Sequence, residues 1–396
     1  MTPHSFSHYF NAPLFTLGFR IFFLLASLSA LVLLIVWQQF TQGTLTNTTY
    51  FANTYWHAHE MLLGYSVAVI AGFLLTAASH WTGKITLQGE GLVGLSLLWL
   101  YGRILPFYAG LLPNELIALV DFAFLPALTL VVGKALIQAK NDRNLAFVGL
   151  LGLLILANAC IHAQMLGFSG TSAAMGVNIA LATLVLLILV IAGRVFPFFI
   201  ERGLKGVIIP RSLMLDYLAI GSAFTLFVLQ CAIDTGVLLG LVALMAAALN
   251  AWRLARWSVY RIRFIPLLWI LYLGYSWLIL GFFLTALAAW NWVLPSLALH
   301  AFTLGGIGTL TLGMMARVSL GHTGHALKAS PPVVIAFVLM NLAALFRVVM
   351  PLTLNTQQST LFYLATLAWL GAFALFVTVY TPLLIKKRVE DTSIHQ

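Results

Sequence analysis

Histidine, glutamate and arginine stand in this chain where apolar side chains would be expected. The stretch "YWHAHEML", Tyr55 to Leu62, puts His57, His59 and Glu60 at the head of a long apolar run. Imidazole is a common axial ligand of haem iron and a good ligand of copper. Two residues apart on a helix means a rotation of roughly 200°, so His57 and His59 should face different neighbours rather than share one metal. Glu60 falls three residues after His57, on the same stripe, where a carboxylate can hold an imidazole N–H from the outer sphere.

Four further groups belong to the same set. His162 and His300 lie in other apolar runs, and Arg103 and Arg347 in two more. Arginine stays charged and its planar fork pairs carboxylates such as haem propionates. For each of these a plainer reading exists. A lone imidazole such as His162 can be a packed, hydrogen-bonded contact, and either arginine can tie helices together. A second group gathers at the other expected end of the runs. "ARVSLGHTGH" carries Arg317, His322 and His325, with His80 at similar depth. There a solvated turn is the plainer account of His80 and His325, which are the weaker candidates.

The elements that must position these residues are membrane helices. Hydrophobic residues make up 62% of the 396 and charged residues 8%, against about 45–50% hydrophobic in a soluble domain. Runs of about 20 apolar residues, long enough to span a bilayer, recur near 17–39, 57–80, 89–107, 115–138, 145–166 and 171–196. Six more follow near 213–234, 236–257, 264–290, 295–319, 332–354 and 359–385. The expected fold is therefore an all-α polytopic membrane protein, one transmembrane domain of twelve helices over residues 1–396. The net charge of +10 does not signal nucleic acid. With twelve spans, the basic residues between runs (Lys84, Lys140, Arg202, Arg211, Arg261 and Lys386 among them) all fall on one side, and Arg253 and Arg256 join them. That is the positive-inside pattern, which predicts both termini in the cytoplasm and excludes nucleic acid as a partner.

On that topology His57, His59, His162, His300, Arg103 and Arg347 share one depth near the outer face, although they come from different helices. Ionisable residues inside a membrane are costly and mark functional sites or buried partners. Gly64, Ala68 and Gly72 continue the first stripe, and Gly305, Thr309 and Gly313 repeat it in the tenth span. Small residues at this spacing allow close helix packing and would equally leave a flat face for a porphyrin. No Walker A loop, no zinc-protease HExxH and no CxxCH occurs, so any haem would be b-type. Cys160 and Cys231 offer no disulfide framework or metal motif. Asp121, Asp216 and Asp234 are scattered and offer little for a proton relay. No repeat of 20–50 residues is visible.

Several segments in order, "GFRIFFLLASL", "WHAHEMLLGYSVAVIAGFLLTA", "GRVFPFF", "LWILYLGYSWL" and "LHAFTLGGIGTLTLGMMARVSLGHTG", resemble the successive signatures of the NnrS family. These are bacterial inner-membrane proteins that bind haem and copper and are linked to nitric-oxide stress. The resemblance implies a haem b or copper protein that binds or removes nitric oxide or relieves its damage to iron metabolism. Nitric oxide and membrane lipid are then the expected partners. It carries site roles to Arg20, to His57, His59 and Glu60, to His162, to Arg194, to His300, and to Arg317 with His322. His80 and His325 depart from the family pattern. A more distant resemblance is to the haem–copper oxidases, which need six metal-ligating histidines where the outer set here has four. A transporter or exporter of haem, copper or an iron–nitrosyl species is the competing reading.

Overall fold

A computed structural model of the chain describes residues 12–51, 54–168, 170, 172–354 and 357–389. Among these residues there are helices and turns and no strand. Among the described residues, twelve helices are long and apolar enough to cross a membrane. They are α1 (Gly18–Thr41), α2 (Thr54–Thr82), α3 (Gly89–Tyr108), α4 (Asn114–Gln138), α5 (Asp142–Met165) and α6 (Ala173–Gly203). The others are α7 (Leu213–Gln230), α8 (Val237–Arg256), α9 (Pro266–Ala289), α10 (Pro295–His322), α11 (Pro331–Leu352) and α12 (Gln358–Ile385). Their ends fall within a few residues of the apolar runs, with one larger difference. The sixth was expected to stop near 196, but α6 continues through Pro197 to Gly203. A proline in a helix removes one hydrogen bond, and membrane helices tolerate that loss where neighbours re-satisfy the backbone.

The helices fall into two compact units. One comprises the described residues up to Thr183, Val318–His325 and the described residues from Val377; the other comprises Leu184–Arg317 and Ala326–Phe376. In the first unit α4 packs on α2, α3 and α5. Small residues set these approaches. A Cβ on Gly72 would come 2.9 Å from the Phe23 ring of α1, and one on Gly102 would come 3.2 Å from the Asp121 backbone of α4. The glycine at 102 thus lets α3 lie against α4 at the level of Asp121.

In the second unit α9 is the central helix, packed on α8 and α10. Arg253, expected among the loop-side charges, is instead 2% exposed. Its Nε donates to Asp216 at 2.6 Å, and its NH1 donates to the Leu189 carbonyl at 2.9 Å and the Tyr275 hydroxyl at 3.1 Å. Tyr275 in turn donates its O–H to Asn250 Oδ1 at 2.6 Å. A buried cation needs such partners, and here α6, α7 and α9 supply them to an arginine of α8.

One local device occurs in both units. His59 ends a short α-helical piece, Thr54–His59, and a π-helical segment, Glu60–Ser66, follows it. His300 ends Pro295–His300, and the π-helical Ala301–Gly308 follows. The next span in each case carries an arginine, Arg103 or Arg347, and ends in a proline-led 3-10 turn, Leu105–Tyr108 or Met350–Leu352. The sequence hides this repetition because the side chains around the device differ. π-Helical turns are rare and concentrate at functional sites.

Candidate metal centre

Within the first unit, four helices bring polar groups to one point. α2 supplies His59 and Glu60, α3 Arg103, α4 Asp121, and α5 the i, i+4 pair Asn158 and His162. All six are buried; His59 is wholly inaccessible and Arg103, the most exposed, reaches only 9%. Asp121 is the hub. Its Oδ2 lies 3.1 Å from His59 Nε2 and 2.8 Å from His162 Nε2, and it accepts the Asn158 amide N–H at 3.1 Å. Its other oxygen is paired with the Arg103 guanidinium. Glu60 bridges the periphery, with Oε1 3.3 Å from His59 Nδ1 and Oε2 3.5 Å from Arg103 Nε.

The π-helical segment makes room for this arrangement. Trp99 of α3 donates its indole N–H to the Gly64 carbonyl at 3.1 Å, which also accepts the Val67 backbone N–H. A Cβ on Gly64 would stand 2.5 Å from Arg103 NH1, so glycine there is what lets the guanidinium pass. From outside the helices, the segment before α2 covers the cluster. The Phe51 ring stacks on His59 at 4.0 Å and the Tyr50 hydroxyl lies 3.3 Å from His162 Nδ1. The Tyr50 backbone N–H is anchored on the Pro106 carbonyl at 2.9 Å. Burial, with the charge of Glu115 added, pushes the Tyr50 phenol well above its ordinary value, so its hydroxyl stays neutral.

His59, Asp121 and His162 can each offer one ligand atom, all within 4.8 Å of one another. Donors bound about 2.1 Å from one metal stand roughly 3.0–3.4 Å apart, and the 3.1 and 2.8 Å separations approach that range. With both carboxylates ionised and both imidazoles neutral, the cluster carries one formal negative charge, which a bound cation or a proton on an imidazole would balance. The donor set fits a metal ion.

A family model described as NnrS protein matches residues 13–388. The chain belongs to the NnrS family. No curated protein matches it.

The other residues singled out in this NnrS-family sequence lie elsewhere. His57 faces away from His59, its ring stacked on Trp37 of α1 at 4.4 Å. His300, in the second unit, has Nδ1 2.7 Å from the Ser296 carbonyl. That contact makes Nδ1 the N–H donor and Nε2 the lone-pair nitrogen. Arg20 donates through NH1 to the Leu384 and Lys386 carbonyls at 2.8 and 2.7 Å, so it caps the end of α12. Arg317 lies over the Phe199 ring and Arg347 over the Phe362 ring, each at 4.0 Å. Arg194 is half-buried on α6. His80 Nε2 and His322 Nδ1 are 3.4 Å apart, and His325 Nδ1 meets the Thr323 hydroxyl at 2.8 Å. The glycine stripes are covered by side chains: Cβ atoms on Gly305 and Gly313 would meet Trp277 and Ile270 within 3 Å. They serve helix contact and leave no open face there for a porphyrin.

Asp121 and Asn158 are the two members that sequence reasoning passed over. Asp121 is a single acid in an apolar run, set aside as scattered; its importance comes from partners on three other helices. A signal for Asn158 was present in its four-residue spacing from His162, which puts both on one face of α5.

Proposed function

We propose that this chain is a metal-binding protein of the bacterial inner membrane that acts in the response to nitric oxide. Its role would be to bind or remove the gas, or to relieve its damage to iron metabolism. The supporting observation is the buried set His59, Asp121 and His162, whose ligand atoms lie within 4.8 Å of one another. The link to nitric oxide rests on the family resemblance. A bound iron or copper ion would supply the centre at which nitric oxide binds. The protein's own groups have separate tasks. Arg103 holds one Asp121 oxygen so that the other is offered to the site, and Phe51 keeps water from His59. Tyr50 and Glu60 orient the two imidazoles through their far nitrogens, as outer partners of metal-bound histidines do.

A second reading, haem b, has one observation in its favour. The Ser296 carbonyl fixes the His300 tautomer that presents Nε2 as a ligand atom. His59 does not face a porphyrin-sized space: its Nε2 has Asp121 Oδ2 and Asn158 Oδ1 3.1 Å away, and Phe51 is stacked on its ring. The test is metal and haem analysis of purified protein, with spectra before and after nitric oxide, in wild type, Asp121→Asn and His300→Ala. Loss of metal and of the gas-induced change in Asp121→Asn alone supports the buried centre. Loss of a b-type haem spectrum in His300→Ala supports haem. Retention of the full metal content and gas response in Asp121→Asn would sink the first reading.

A further inference from the structure

We infer that Asn158 is a fourth ligand of the centre, making it a two-nitrogen, two-oxygen site for a divalent first-row metal. This rests on the metal reading above. His59 Nε2 stands 3.1 Å from two oxygens at once, Asp121 Oδ2 and Asn158 Oδ1. The Asn158 amide cannot be turned round without loss, because its Nδ2 already donates to Asp121 Oδ2 at 3.1 Å, and reversing it would set two acceptors face to face. The amide oxygen is therefore aimed at the same point as the imidazole nitrogen.

One N–H can serve two acceptors only by sharing. His59 Nδ1 meanwhile faces Glu60 Oε1 at 3.3 Å, a third acceptor around one ring. A neutral imidazole has a single N–H, so a lone pair is left facing oxygen lone pairs on one side. A cation among His59 Nε2, Asp121 Oδ2, His162 Nε2 and Asn158 Oδ1 turns all four lone pairs to use. Nδ1 then keeps the proton for Glu60, the arrangement expected of a metal-bound histidine with a carboxylate behind it.

The donor set also selects the ion. It holds imidazole, carboxylate and amide oxygen and no sulfur. Cys160 lies two residues from both Asn158 and His162, and its Cβ would come 3.2 Å from a Cβ on Gly176 of α6, so it belongs to a packing face. Soft cuprous copper prefers thiolate and thioether donors, whereas imidazole and oxygen donors suit divalent iron, cobalt, zinc or cupric copper.

Cobaltous ion titrated into metal-free, full-length protein, with its visible absorption followed, tests the assignment. Asn158→Leu removes the oxygen and should shift the spectrum and weaken binding by at least the roughly 10–100-fold that loss of an outer partner alone costs. Asn158→Asp separates a ligand from a structural role, because aspartate keeps an oxygen donor but cannot donate to Asp121. Affinity kept or raised in Asn158→Asp supports ligation, while a fall equal to that of Asn158→Leu overturns it. Cobalt binding unchanged in Asn158→Leu overturns the fourth ligand and leaves the three-ligand centre standing. Failure of wild type to take cobaltous, ferrous or zinc ion overturns both. Tighter capture of cuprous ion than of any divalent ion overturns the selectivity.

Discussion

Tyr50 reaches the centre from outside the helices, and its hydroxyl can face His162 as donor or as acceptor. Burial and Glu115 raise its pKa, which sets its pH behaviour. An unfolded tyrosine loses its proton near pH 10. With the folded value higher, this contribution to stability is present below about pH 10 and is lost as pH climbs toward the raised value. We expect an ultraviolet titration of wild type minus Tyr50→Phe to show no tyrosinate from this residue at or below about pH 10. Ionisation of Tyr50 at its ordinary value would show that the segment over His59 and His162 is not closed in solution.

At the scale of elements, the π-helical start of α2 and the tight approach of α3 do the positioning. Gly64 is where the two meet, under the Arg103 guanidinium. Replacing it with alanine should displace Arg103 from Asp121 and lower stability by about 1–3 kcal/mol, the cost of overpacking. Thermal unfolding in detergent measures the loss, and metal content should fall with it. A Gly64→Ala variant as stable and as metal-replete as wild type would mean that the guanidinium has another route to the acid. Trp99 and the Gly64 carbonyl belong to the same joint, so the segment is held by a neighbour's hydrogen bond as well as by its own.

For the molecule as a whole, the two units separate two kinds of buried charge. The first holds Asp121 among two imidazoles and a guanidinium; the second holds Arg253, whose donors are met by Asp216, a carbonyl and a phenol. Arg253→Ala should destabilise by about 2–3 kcal/mol, less than the 3–5 kcal/mol of a fully buried pair, because Asp216 keeps 27% of its side chain exposed. Metal content, in contrast, should stay at the wild-type level. If Arg253→Ala strips the metal while the protein remains folded, the two units are energetically coupled and the division fails.

The sequence by itself determined the span count, the all-helical class, the family and the presence of imidazoles and guanidiniums among apolar residues. Those features are local: about 20 apolar residues must cross a bilayer as a helix, whatever lies beside them. It also led to the divergence of His57 and His59, because helical rotation is a property of one segment. Only the tertiary structure decided that Asp121 is the hub, that Arg103 pairs with it, and that Arg20 caps a helix near the other end of the chain. It also decided that Arg253 is an interior residue. In each case the deciding partner lies on another helix, at a separation along the chain that no periodicity records. Inside a membrane a charge is worth keeping only where such a partner meets it, so the same residue type reads alike in sequence whether it serves as ligand, cap or strut.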